Sequence, residues 1–465
     1  MNWIKFLLFC AFSVFAPHLR AEVVRIEIEK REPFANGQSF GEAGAYEILD
    51  GRLFFEIDPN DPTNGRITDL KQAAVNERGK VEFWSDFFLL KPVDPKKGNG
   101  RLLYDVHNRG NKLALWTFNE GERTNEPTNA EHAGNEFLLE RGWSLLWTGW
   151  NGDVAADGTG RLLAGLPVAL DDKGNPITGR SYVEISVDED GVFSRPFFGS
   201  PWGTPKAYPA VDVADNSNAL LTMRPQRSEP PIEVPREEWA FARFENGEVI
   251  PDPTSLYMKE GLKPGWLYDL VYPAKGPRVS GLGLAGLRDA VSFFRRGQKG
   301  VENPLGDSIE KAAIFGISQS GRVIHHFLYE GLNLDTKKRP VFDGAISLVP
   351  GAGKGIFNYR FGMATSYSVT NWGNLFPAEF FPFAPMPQVD PVTGKAGDTL
   401  SLLRESGVAG AIPKLMFVQS ATEYWSRAAS LLHADVEGKQ DLEIDSSVRI
   451  YSIAGAQHLG GGPTD

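Results

Sequence analysis

Residues 311–330 read KAAIFGISQSGRVIHHFLYE: an apolar run, a turn of small residues carrying two serines, then apolar residues at helical spacing. A short apolar run bounded by glycine and followed at once by a helical period predicts a strand, a tight turn and a helix. A serine at such a turn is a weak nucleophile until a base takes its proton and a donor pair stabilises the oxyanion. The turn needs small residues two before and two after the serine, because the strand and helix backbones approach closely there. Around Ser318 those positions hold Gly316 and Ser320, both small. Around Ser320 they hold Ser318 and Arg322, and an arginine does not fit the crowded slot. Ser318 is the candidate nucleophile, with Ser320 replacing the second glycine of GxSxG.

In this design the partners follow in the order serine, acid, histidine. Of seven histidines, His18 borders the N-terminal apolar stretch, and His107 and His132 precede the serine. His325 and His326 fall on the helix after the turn, and His433 lies in a helical stretch. His458 alone sits in a loop after a terminal apolar strand, in AGAQHLGGG, where it can act as base. The acid belongs after the preceding strand, and PKLMFVQSATEYW puts Glu423 there, with Asp435 and Asp441 as rivals further from the strand end. Its task is to accept a bond from the imidazole while staying ionised. Oxyanion donors are expected from the backbone N–H of Gln319 and from LLYDVHNRGN, through Arg109 or Gly110.

Outward from the turn, strands alternate with helices from about residue 266 to 465, which predicts a mostly parallel sheet covered by helices. Residues 22–154 are rich in alternating β-branched and aromatic runs and read as the β-rich entry to that sheet. Residues 155–265 break into short runs between Pro, Gly and Asp and read as a β-rich insertion. A second insertion at about 355–400, aromatic and proline-rich, reads as a lid, with the phenylalanines of 376–383 either lining an acyl or aromatic pocket or packing the insertion's core. The fold class expected is α/β.

The first 21 residues have one lysine before an apolar stretch and then a small-residue boundary, the pattern of a secretory signal cleaved after Ala21. The protein is expected to be exported, periplasmic or secreted, with no membrane anchor. The only cysteine, Cys10, lies in that segment, so no disulfide is expected. A net charge of −11 without a clustered basic face argues against nucleic acid. No His, Asp or Glu cluster has zinc spacing, and no metal or cofactor is expected. GLGLAG at 281–286 lacks the preceding strand and distal acid of a dinucleotide site and is better explained by helix–sheet packing. GAGKG at 351–355 fails as a phosphate loop, because Leu348 and Gly355 occupy required slots. For Arg322, an ion pair at the helix start is preferred over a substrate anchor.

Together, GISQSGR, HNRGN, RGWSLLWTGWNGD, GLAGLRD, VFDGAI, ATEYW and AGAQH resemble a group of large, mostly exported bacterial α/β-hydrolase-domain proteins with a GxSQSGR nucleophile elbow. The resemblance covers most of the chain after residue 21. It implies an α/β-hydrolase fold with Ser318, Glu423 and His458 as triad, and no particular substrate. Relatives usually continue well beyond the histidine, with a helix behind the last strand, whereas this sequence ends at Asp465. The activity expected is hydrolysis of carboxylic esters on a small-molecule or acylated substrate. An acyltransferase or thioesterase with the same triad, a non-catalytic binding protein on this scaffold and, less readily, a peptidase are the alternatives. Oligomeric state is not encoded in any of these signals.

Overall fold

Alternation in the N-terminal third yields long paired strands: β1 (Val23–Pro33), β2 (Gly44–Ile57) and β3 (Val81–Pro92) form an antiparallel set. The computed structural model describes residues 22–198, 206–365 and 380–458, so the expected signal, residues 1–21, lies outside the described residues. Six further strands follow: β4 (Arg101–Asp105), β5 (Ser144–Thr148), β6 (Lys311–Ile317), β7 (Gly344–Leu348), β8 (Lys414–Ser420) and β9 (Val448–Ile453). With two short strands they complete an eleven-stranded sheet of order β1-β2-β3-β5-β4-β6-β7-β8-β9. Pairing is parallel from β5 through to β9 and antiparallel on the β1–β3 side. The parallel half gains its crossovers from the strand–helix alternation seen in the sequence.

Side chains alternate across this sheet into two cores. Leu102, Tyr104, Leu146 and Ile314 pack under α1 (Leu282–Arg296) and α2 (Gln319–Tyr329). Leu103, Leu145, Trp147, Phe315 and Ile317 pack on the other face, against the short helix Ala114–Asn119. The GLGLAG glycines open α1 and are explained by packing: a Cβ on Gly283 would lie 1.6 Å from the Trp150 carbonyl oxygen, and one on Gly286 2.9 Å from the Phe83 ring. Among the described residues no helix is long and apolar enough to cross a membrane.

The insertion carries its own sheets and runs past the expected boundary at 265, because Leu267–Lys275 pairs with Thr178–Ile185 and not with the main sheet. Thr178–Ile185, Leu267–Lys275, Leu220–Arg224 and Ile232–Glu233 pair antiparallel, and Trp239–Glu245, Glu248–Met258 and Ser194–Pro196 form a second sheet. Val183, Leu221, Phe241, Leu256 and Tyr272 make a third core that joins them. Of the expected lid, residues 366–379 lie outside the described residues, as does the first half of its phenylalanine run. Lys354, from the rejected phosphate-loop motif, is buried and donates to the Phe380 and Pro382 carbonyls at 2.7 and 2.8 Å.

Candidate active site

β6 ends at Ile317 and α2 begins at Gln319, so Ser318 alone makes the turn, with φ 57° and ψ −113°. A non-glycine residue held there costs of order 1–3 kcal/mol and persists only where its surroundings fix it. Ser318 N–H donates to the Leu348 carbonyl at 2.7 Å, and Arg322 N–H to the Ser318 carbonyl at 3.0 Å. Close approach explains the small neighbours. A Cβ on Gly316 would lie 2.5 Å from the Ser320 carbonyl oxygen, and one on Gly321 2.9 Å from Ser347 Oγ. Ser320 is fully buried, and its hydroxyl accepts from Ile317 N–H and donates to the Ile317 carbonyl, both at 2.9 Å. That hydroxyl holds the turn closed, while Ser318 is half-buried at its tip.

Glu423 stands in the first turn of α3 (Ala421–Ser426), after β8. Ser420 caps the helix, and Glu423 closes a reciprocal box by accepting from the Ser420 backbone N–H and hydroxyl. Its other oxygen, Oε1, meets His458 Nδ1. Burial alone would raise this carboxyl's pKa, but the hydrogen bonds from His458 and Ser420 outweigh it and hold the group below the usual range. Glu423 is 1% exposed, whereas the His458 side chain is 38% exposed, so the acid is sheltered and the imidazole open to a ligand.

The rival acids go elsewhere. Asp441 meets His433 Nδ1 at 3.2 Å, and Asp435 accepts from Lys439 N–H at 2.7 Å. His433 follows a short 3-10 turn rather than sitting within a helix. His325 and His326 are buried in the core, His325 against Phe417 and His326 on Glu330 at 3.1 Å. Burial pushes the pKa of His325 down to about 3.

Ser318, Glu423 and His458 thus follow the C-terminal ends of β6, β8 and β9, on one edge of the parallel sheet. Among the described residues no hydrogen bond links Ser318 to His458. The Gln319 N–H sits at the first position of α2, where no intrahelical acceptor exists. The HNRG loop is pinned to the elbow by Asn108, whose Nδ2 donates to the Ile317 carbonyl at 2.9 Å. Arg109 and Gly110 both have positive φ, 54° and 89°. Gly110 N–H donates to His107 Nδ1 at 2.8 Å and is therefore already engaged.

Three residues not singled out from the sequence also frame the site. Asn108 bridges loop and elbow, Ala364 accepts a hydrogen bond from the Gln319 side chain, and the Thr365 carbonyl accepts from Arg109 Nε at 3.3 Å. Only Asn108 lay in a quoted motif. Among the described residues no group of three or more His, Cys, Asp or Glu is disposed to hold a metal ion.

A serine elbow between strand and helix, with a carboxylate–imidazole pair on the same sheet edge, is the layout of the α/β hydrolases. The chain belongs to this family: the model described as "Alpha/beta hydrolase domain" matches residues 227–463. No curated protein matches the chain. Among solved structures it is similar to a glucuronoyl esterase from Solibacter usitatus, with 12% identity, TM-score 0.32, and coverage of 94% of this chain and 84% of that one. A Butyrivibrio proteoclasticus protein solved with ferulic acid gives 9% identity, TM-score 0.28, and coverage of 81% and 88%. These likenesses are too distant to assign chemistry.

Proposed function

We propose that the protein is an exported serine hydrolase that cleaves carboxylic esters through an acyl-enzyme. Ser318 Oγ attacks the ester carbonyl as His458 takes its proton through Nε2, and Glu423 holds the imidazole by Nδ1 and stabilises the imidazolium. The tetrahedral oxyanion is held by the N–H of Gln319 and by a backbone N–H of the HNRG loop. His458 returns the proton to the leaving alcohol, and water then releases the acid by the same steps in reverse order.

The observation that carries this reading is the pairing of sheltered Glu423 with half-open His458 on the sheet edge where strained Ser318 stands. No cofactor enters any step. The substrate is a small molecule or an acylated one, and residues 1–21 direct export and are removed after Ala21.

Hydrolysis of short- to long-chain p-nitrophenyl esters by the chain from Glu22 onward, and by its Ser318→Ala variant, tests the reading. Wild type is expected to turn over, and the variant to lose about 10⁴-fold or more in kcat. Undiminished turnover in the variant would place the nucleophile elsewhere.

A further inference from the structure

One cavity, of about 510 Å³, lies between the insertion and the strip of chain leading to the elbow. Its floor is one face of the insertion sheet. Val183, Leu270 and Tyr272 point the other way into the third core, so Arg180, Tyr182 and Asp269 are left on the cavity side. Its opposite wall is the strip of Ile356, Tyr359, Phe361 and Met363. The volume suits one ring-sized ligand with substituents.

The charges here are matched with one exception. Arg224 pairs with Asp269 at 2.8 Å, and Tyr182 donates to the same carboxylate at 2.6 Å. Arg227 pairs with Glu184, and Arg360 with Asp69 at 2.6 Å. Arg180 has no hydrogen-bond or ion-pair partner among the described residues, although it lines the same cavity. An aromatic-walled pocket with one uncompensated guanidinium fits a ring bearing one carboxylate, which arginine can grip through two parallel hydrogen bonds.

None of Ser318, Gln319, Glu423 or His458 lines the cavity; the strip is what ties it to the elbow along the chain. Past Met363, the strip continues to Ala364, which accepts from the Gln319 side chain, and Thr365, which accepts from Arg109. We propose that this cavity is the substrate-recognition subsite for aromatic esters carrying a free carboxylate, with Arg180 as the residue that reads the negative charge. The proposal rests on the esterase reading for the reaction, but not for the binding.

Two arms separate them. Equilibrium binding of terephthalate and of neutral terephthalamide to the Ser318→Ala protein is measured by calorimetry, with and without Arg180→Gln. Terephthalate is expected to bind at least about tenfold more tightly than the diamide, and Arg180→Gln to abolish the difference. In the second arm, kcat/KM for monomethyl terephthalate against methyl benzoate is expected to favour the carboxylated ester about tenfold in wild type and to approach parity in Arg180→Gln. Thermal unfolding checks that Arg180→Gln is folded; an Arg180→Lys protein, which keeps the charge but not the fork, should recover part of the preference. Charge-selective binding without turnover of any ester would leave the subsite standing and overturn the esterase reading. Equal binding of both probes, or an equal loss for both in Arg180→Gln, would overturn the subsite.

Discussion

The two serines of GISQSGR divide the labour of the turn. Ser320 satisfies both backbone groups of Ile317, so Ser320→Ala strands a buried N–H and is expected to cost about 1–3 kcal/mol in chemical denaturation. It should still leave ester turnover far above that of Ser318→Ala, because the proposed nucleophile is untouched. Glu423 carries a pH dependence. Its folded pKa is depressed, so its stabilising contribution is present above its ordinary value of 4.5 and lost as pH falls through the lower folded value. Glu423→Gln should therefore flatten the acid limb of a stability-versus-pH curve measured by thermal unfolding, and also slow turnover by misorienting His458. That Ser318 rather than Ser320 makes the turn was legible from the size of flanking residues alone. The engagement of Gly110 by His107 was not, because a buried imidazole accepting a backbone N–H three residues on looks in sequence like any loop histidine.

At the scale of elements, the elbow is a packing problem before it is a chemical one. Gly316 faces the Ser320 carbonyl oxygen, and backbone at 2.5 Å cannot move aside as a side-chain tip would. Gly316→Ala is expected to lose about 1–3 kcal/mol in a thermal or urea melt and to lose most ester turnover, because relief of the clash rotates Ser318 out of place. A variant as stable and as active as wild type would contradict this account of the turn. β6 and α2 were readable because apolar periodicity switches from a short run to a helical period within a few residues. The ties between elements were hidden: Asn108 meets Ile317 across more than two hundred positions of chain, and a side-chain-to-backbone bond of that reach leaves no local pattern. The GLGLAG glycines have a packing role: Gly283 and Gly286 let the helix lie against Trp150 and Phe83.

Across the whole molecule, the parallel half followed from the alternation of strands and helices, and the insertion was read from short runs broken by Pro, Gly and Asp, while its two-sheet build came from long-range pairing. The N-terminal edge holds a further long-range feature. Glu22 is buried near Asp289, Arg288, Asp335 and Lys337, and burial, then Asp289, pushes its pKa up to about 8. It binds its proton more tightly folded than unfolded, so its contribution is whole below about pH 4.5 and lost as pH rises through about 8. In the chain that keeps residues 1–21, Glu22→Gln should remove that decline from the stability curve between those values, measured by urea melts at a series of pH values.

The most direct test is covalent. The protein is treated with a fluorophosphonate, digested, and the modified residue located by mass spectrometry. A single adduct on Ser318, absent from Ser318→Ala and slowed in His458→Ala, is the predicted result. An adduct on Ser320, or labelling that survives in Ser318→Ala, would contradict the assignment of the nucleophile and with it the mechanism.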